Sequence, residues 1–205
     1  LEAEAIEVLK NSRGAYDQLF GGGPKHRVLL DIFPTAQRFI QASGLPPEAV
    51  RKTGVVALSK WSRLLISSPR ALSRGYGWKD TVAHEHIHLV ISVQSEDRAP
   101  VWLQEGLAKL LETRWRSPEN SALTVHQQSL LARALKADEF VPFEKFKHSM
   151  AYLDSGDEAA LAFAQVATLV EHALERSGEA ALPGIMAEIR DGDSAQRVMA
   201  QAAGY

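Results

Sequence analysis

The sequence predicts an α+β fold in which a small N-terminal sheet with its helices packs against a mostly helical C-terminal half. Two observations lead to this prediction. Short runs rich in Val, Leu and Ile, bounded by Gly or Pro, occur between residues 28 and 68, and such runs are typical of strands. From residue 80 onward apolar residues recur three or four apart, which is the spacing of helices. We therefore expect a cleft between the two halves, where ligand sites commonly lie.

The composition is typical of a soluble globular domain. The chain has 205 residues, of which 45% are hydrophobic and 23% charged, and its net charge is -2. This length suits one core, so we expect a single domain with a mixed α/β lobe over about 1–95, including the motif helix, and a helical lobe over about 96–205. Because no block of like charge occurs, we expect no nucleic-acid partner. We also expect no membrane insertion, since no apolar run approaches the roughly 20 residues that span a bilayer.

Two features bear on compartment and chemistry. The chain begins with Leu1 rather than Met, which favours a processed piece, and removal of an upstream signal or anchor would be consistent with an extracytoplasmic location. The sequence leaves the compartment and the oligomeric state open. Cysteine is absent, which excludes disulfides, thiolate metal ligands and a cysteine nucleophile. Any metal ligands must therefore be His, Asp or Glu.

The N-terminal lobe alternates helices and strands. Its predicted elements are helix 1–20, strand 28–33, helix 35–43 and strands 54–59 and 63–68. Glycines and prolines separate them, beginning with the break at Gly21–Pro24. Of the last two strands we expect Arg63–Ser68 to be the sheet edge, where unpaired backbone groups can bind an extended peptide.

The C-terminal half is predicted to be helical. Asp80 is placed to cap a helix that runs to about Val93, and Pro100 suits the first turn of a second helix. In that second helix Trp102 and Leu103 recur at helical spacing with later leucines, so we expect both in the core. Further helices are predicted over 124–137, 142–148, 157–176, 179–190 and 194–203.

The first of these helices carries the residues of a metal site. His84 and His88 are four apart, so a helix places both imidazoles on one face, about one turn apart. Glu85 follows the first histidine, which leaves its carboxylate beside a bound metal, where it can take a proton from water. His86 points about 160° away from the ligand face, so we do not expect it to be a ligand.

Catalytic zinc takes three protein ligands and leaves a fourth position open, so a third ligand is expected downstream. Glu105 lies on the second helix, with 16 residues (89–104) between it and His88. Two antiparallel helices joined by the Ser95–Ala99 loop can bring its carboxylate against the histidine pair, and Gly106 permits a close helix approach. Asp97, which falls in the predicted turn, remains an alternative third ligand.

With these residues the chain resembles the gluzincins, zinc metallopeptidases whose third ligand is a glutamate on the next helix, and among them the peptidase MA-like domains. The resemblance rests on the segments His84–His88 and Pro100–Ala108 and, more loosely, on Glu171–Gly178. It implies a thermolysin-like zincin fold and hydrolysis of peptide bonds in a peptide or protein substrate. The implied roles are ligation of one Zn²⁺ by His84, His88 and Glu105 and general-base catalysis by Glu85.

One segment departs from the family. Such domains often carry Tyr-Ala-Gln early in the long C-terminal helix, whereas this chain has Phe163-Ala164-Gln165, so a phenol that can steady an oxyanion is missing. Candidate oxyanion donors elsewhere in the chain are Tyr76, His148 and Tyr152.

Two further functions stay open. A module that binds metal but catalyses weakly would recognise peptides or partners, and Phe163 motivates this alternative. A metal-handling protein would use His84, His86 and His88, although these three do not share one helical face.

Overall fold

A computed structural model describes residues 1–147 and 149–205 and has the mostly helical α+β composition that the sequence predicts. The helices are α1 (Glu2–Phe20), α2 (Ala36–Ser43), α3 (Pro47–Thr53), α4 (Trp78–Ser95), α5 (Val101–Leu111), α6 (Val125–Ala137), α7 (Phe143–Phe146), α8 (Gly156–Ser177), α9 (Leu182–Arg190) and α10 (Ala195–Ala202). The strands are β1 (Leu29–Phe33), β2 (Ala57–Lys60) and β3 (Arg63–Ser67).

The three strands form one sheet in the order β1-β3-β2. β3 pairs parallel to β1 and antiparallel to β2, so the prediction that Arg63–Ser68 is an edge strand is wrong. Residues 64–67 of β3 are all buried. A strand of this kind is stable in the centre of a sheet, where strands on both sides and the packed helices cover it. Within the described part of the chain, β2 forms an edge instead.

Two local predictions differ from the structure. α4 begins at Trp78 after Gly77, so Asp80 is not its cap. The carboxylate of Asp80 instead accepts hydrogen bonds from the Trp115 indole at 2.8 Å and the Arg116 guanidinium at 2.9 Å, which ties the start of α4 to the segment after α5. Helix α3 was not predicted, and the predicted helix 142–148 is the single turn α7, with residue 148 outside the described residues.

The main core joins the C-terminal helices to α1 and α4. Trp102 and Leu103 are buried in it, as their spacing predicts. Gly106 lies where α5 meets α8: a Cβ atom there would lie 2.6 Å from Val170 Cγ2 and 2.7 Å from the Val166 carbonyl oxygen. The two helices therefore approach closely at the residue that follows Glu105.

Helix α4 occupies a central position, since it contacts α1, α5, β2 and β3. One of its faces is covered by α1 and another is turned towards β2 and α5. Among the described residues, no helix is both long and apolar enough to cross a membrane.

Candidate metal centre

The packing of α4 against α5 brings the three predicted ligands together. Glu105 Oε2 lies 3.2 Å from His84 Nε2 and 3.5 Å from His88 Nε2. One donor atom from each of the three residues lies within 4.8 Å of the other two. Asp97, the alternative ligand, lies in the turn between the helices and outside this group.

These distances can be compared with those around a zinc ion. Nitrogen and oxygen ligands lie about 2.0–2.2 Å from zinc, so two ligands at the corners of a tetrahedron are roughly 3.3–3.6 Å apart. The two distances to Glu105 are close to this range. Two imidazole nitrogens and one carboxylate oxygen are also a ligand set that zinc accepts, and the residues therefore fit a zinc ion.

The three side chains are mostly buried but reach an open cavity. This cavity has a volume of about 350 Å³ and is lined by the three predicted ligands together with Glu85, β2 and Phe163. A fourth coordination position facing the cavity would be accessible to water and to a substrate, which a catalytic metal site requires and a closed structural site lacks.

The electrostatics of the group favour a cation. Burial lowers the pKa of His84, but hydrogen bonds and charge from Glu105 and Glu112 outweigh burial and raise it to about 10. The pKa of His88 is likewise raised, by Glu105 against the effect of burial. Burial opposes ionisation of Glu105, yet the two histidines hold its pKa well below the usual value. The carboxylates thus stabilise positive charge here, whether protons or a divalent cation carry it.

Glu112 is a part of the site that sequence reasoning missed. Its Oε2 lies 3.1 Å from His84 Nδ1, while its Oε1 accepts hydrogen bonds from Lys109 and from the Ser121 hydroxyl, the latter at 3.2 Å. A carboxylate on Nδ1 fixes the ring so that Nε2 faces the metal position. The sequence spacing could have indicated Glu112, since it follows Glu105 by seven residues and therefore lies two helical turns further along the same face.

Tyr16 is a second residue that the sequence did not reveal. Its buried hydroxyl lies 3.1 Å from the Ala83 carbonyl oxygen and 3.2 Å from the Leu111 carbonyl oxygen. These carbonyls immediately precede His84 and Glu112. α1 therefore helps to fix the positions of α4 and α5 relative to each other, although the contact spans 67 and 95 residues of sequence.

Glu85 is buried beside the ligands and lines the cavity. Burial raises the pKa of its carboxyl, and the nearby His88 and His84 act in the opposite direction. A carboxyl group with these neighbours is placed to exchange a proton with a molecule in the cavity.

Two of the three candidate oxyanion donors, Tyr76 and Tyr152, can be located in the structure. The Tyr76 hydroxyl donates a hydrogen bond to the Ser67 carbonyl, and burial together with the charge of Glu85 raises its pKa to about 12. Tyr152 is 60% exposed, and neither tyrosine is among the residues lining the cavity. His148 lies outside the described residues.

Phe163 does line the cavity, with its ring centroid 6.2 Å from that of His84. Two residues on, Gln165 is buried, and its side-chain amide accepts a hydrogen bond from the Val141 N–H at 2.8 Å and donates one to the Val141 carbonyl at 3.1 Å. The Phe163–Gln165 segment therefore places an apolar ring near the ligands and anchors the chain that follows α6.

His86 lies on the opposite side of α4. Its Nδ1 is 2.8 Å from the Ser12 hydroxyl, and its ring is 5.7 Å from that of Tyr16. Burial lowers the pKa of His86 to about 4. The structure thus places His86 against α1 and apart from His84 and His88, which removes the support for a three-histidine metal site.

No protein-family model, curated protein or solved structure matches the chain. The assignment of a function therefore depends on the residues and on their geometry.

Proposed function

We propose that this chain is a zinc-dependent metallopeptidase of the gluzincin type, with a zincin-like arrangement of sheet and helices. One observation carries the proposal. Glu105 Oε2 lies 3.2 Å from His84 Nε2 and 3.5 Å from His88 Nε2, which are separations that suit a tetrahedral ion, and the buried carboxyl of Glu85 lies beside these residues in an open cavity.

The proposed chemistry divides between the metal and the chain. Zinc, when bound, would lower the pKa of a water molecule to about 7 and polarise the scissile carbonyl. Glu85 would take the proton of that water and later deliver it to the leaving nitrogen, as a general base and then a general acid. Glu112 would hold the His84 ring in place throughout, because its contact with Nδ1 leaves Nε2 free for the metal.

The substrate is proposed to be a peptide or protein chain that lies along β2. This strand is an edge within the described residues, and Ala57–Lys60 line the cavity. Backbone groups on a free edge can pair with an extended peptide independently of its side chains. Antiparallel pairing, which is slightly more stable per residue, makes the substrate run from the Lys60 end of β2 towards Ala57.

A second function is supported by Phe163. Its ring occupies part of the cavity wall near His84 and has no hydroxyl group to donate to an oxyanion. A module that binds zinc and a peptide but hydrolyses the peptide weakly would have this arrangement. The first function needs Glu85 as a general base for hydrolysis, whereas the second needs no catalytic contribution from Glu85.

The variant Glu85→Gln separates the two. The zinc-loaded protein and the variant are incubated with a diverse peptide mixture, and new termini are counted by mass spectrometry. We expect the wild type to cleave and the variant to lose about 10²–10⁴-fold in rate, the usual contribution of a general base, while both retain one zinc.

The variant Glu105→Ala serves as the comparison that loses the metal. No cleavage by the zinc-loaded wild type, with zinc and peptide binding intact, would refute the peptidase and support the recognition module. Equal cleavage by the wild type and Glu85→Gln would refute the proposed role of Glu85.

A further inference from the structure

A second cavity adjoins the metal cleft. It has a volume of about 680 Å³, and Ser59, Lys60 and Gln104 line both cavities. One wall of the second cavity is the turn between β2 and β3, at Trp61 and Ser62, and the other is the end of α4, at Glu96 and Asp97. We call the space between these two walls the Trp61 groove. A chain that lies along β2 in the metal cleft enters this groove as it passes Lys60.

The backbone of both walls is unusual. Five non-glycine residues of the described chain have positive φ, and four of them form the walls: Trp61 (50°), Ser62 (61°), Glu96 (50°) and Asp97 (59°). A two-residue hairpin turn and a helix end both favour Gly or Asn at such positions, because other side chains crowd the backbone. Side chains that are kept at a conformational cost point to a role for the side chains themselves.

The side chain of Trp61 forms an exposed aromatic wall. It is 82% exposed, and the Lys60 ammonium lies 4.2 Å from the ring centroid. The floor beside it includes the apolar side chains of Leu89 and Val93. Because Trp61 is so exposed, ring surface that the Lys60 ammonium does not cover remains accessible. This surface and the apolar floor suit a ligand side chain with a long apolar stem, which can lie against an indole ring.

The opposite wall carries two carboxylates. The side chains of Glu96 and Asp97 are exposed and have no hydrogen-bond or ion-pair partner within the described residues. Lys60 and His26 are the basic residues of the lining, so the two acids outnumber the one permanent cation. A ligand side chain with an apolar stem and a cationic end would therefore pack its stem against Trp61 and direct its charge towards the two acids.

We propose that the Trp61 groove binds a lysine or arginine side chain of the polypeptide substrate. Given antiparallel pairing with β2, this residue lies on the N-terminal side of the bond at the metal. The position relative to that bond rests on the proposed peptidase function, whereas the binding of a basic side chain depends only on the groove and on its continuity with the cleft.

Binding is tested separately from hydrolysis. The probes are fluorescein-labelled decapeptides of Ala, Ser and Gly that carry one arginine, moved through the ten positions, each paired with a peptide carrying neutral citrulline there. Their affinities for the zinc-loaded Glu85→Gln protein are measured by fluorescence anisotropy at low salt. We expect arginine at one position or two adjacent positions to bind 5–10-fold more tightly than citrulline.

A matched pair of variants assigns this preference to the groove. Glu96→Gln/Asp97→Asn should abolish it. Asp138→Asn/Glu139→Gln should leave it intact, since Asp138 ends α6 with φ 57° as Glu96 ends α4, and neither residue lines the groove. Absence of peptide binding, equal binding of arginine and citrulline peptides, or an equal loss in both double variants would overturn the proposal.

The role of Trp61 has its own test. Trp61→Asn/Ser62→Gly supplies the residues that a two-residue turn with two positive φ angles prefers. We expect a higher melting temperature and a severalfold weaker binding of the best arginine peptide. A variant that is more stable and binds equally well would refute the role of Trp61.

Hydrolysis of the best decapeptide by zinc-loaded protein with Glu85 intact is then measured. Binding with an arginine preference but without cleavage would refute the peptidase and support the proposed binding in the Trp61 groove. Cleavage without an arginine preference would support the peptidase and refute the proposed binding in the groove.

Discussion

The histidines of α4 occupy two contrasting environments. His84 and His88 face α5, and their pKa values are raised, that of His84 to about 10. His86, which is also largely buried, faces α1, and its pKa is lowered to about 4. Burial lowers the pKa of all three, so the difference comes from the charges nearby. Glu105 and Glu112 raise the pKa of His84, and Glu105 raises that of His88. Beside His86 the charges of Asp17 and Arg13 act in opposite directions, and burial decides its pKa.

This comparison indicates which face of α4 could hold a metal ion. The face towards α5 combines acceptors for positive charge with an open cavity, whereas the face towards α1 offers a hydroxyl and an aromatic ring. A divalent cation can therefore replace protons on the first face, while His86 serves to join α4 to α1.

The largest expected effect separates the two faces directly. His88→Ala removes a proposed ligand and should lower zinc affinity by more than about 100-fold, beyond the range seen for residues that do not contact the metal themselves. His86→Ala should leave zinc affinity within a factor of about three and lower the free energy of unfolding instead, by roughly 1–3 kcal/mol, since Ser12 loses its buried partner. Competition with a chromophoric chelator and denaturant unfolding measure the two quantities. Similar zinc losses in both variants would break the comparison.

A smaller effect is expected at Glu112. Glu112→Gln keeps the shape of the side chain but removes the charge that orients His84 and faces Lys109. Zinc affinity should fall by about 10–100-fold, the usual cost of losing such a partner. The exposed residue Glu119 provides a control, because Glu119→Gln should leave the affinity unchanged. An unchanged affinity in Glu112→Gln would mean that the carboxylate does not help to position the ligand.

A further effect is expected of pH on zinc binding. With the pKa of His84 raised to about 10, zinc must displace at least one proton below that pH, so the affinity should fall about tenfold for each unit of pH lowered. Calorimetry in buffers of different ionisation enthalpy counts the released protons. Zinc binding that releases no proton at pH 7.5 would contradict the described electrostatics.

The same pKa shifts give the two faces opposite effects on the stability of chelator-treated protein. The pKa of His84 is higher in the folded state than in the unfolded state. Its contribution to the free energy of unfolding is therefore complete below pH 6.5 and is lost as pH rises towards 10. The pKa of His86 is lower in the folded state than in the unfolded state. Its contribution to the free energy of unfolding is therefore present above pH 6.5 and is lost as pH falls towards 4. Denaturant unfolding of His84→Ala and His86→Ala at pH 5, 7 and 9 should show these opposite trends relative to the wild type.

Local sequence spacing predicted the helical parts of the site well. The separation of four between His84 and His88 needs only a regular helix to place both rings on one face. The position of Glu105 beside them additionally needs a second helix packed against the first, which the short Ser95–Ala99 connection favours. The α+β composition followed from the same kind of local pattern.

Features that depend on distant contacts were not predicted. Which strand is central cannot be read from apolar runs alone, because β2 and β3 have similar local sequences and differ in what the rest of the chain brings beside them. The contacts of Tyr16 with Ala83 and Leu111, and of Ser12 with His86, join segments more than 60 residues apart. Such pairs follow from tertiary packing and leave no periodic signal.

The central claim is that His84, His88 and Glu105 together hold one metal ion. The most direct test is elemental analysis of purified wild type and Glu105→Ala, prepared with zinc and without chelators and measured side by side. We predict about one zinc per wild-type chain and little in the variant, with both proteins folded by circular dichroism. No zinc in either protein, or equal zinc in both, would contradict the three-ligand site and, with it, the proposed peptidase.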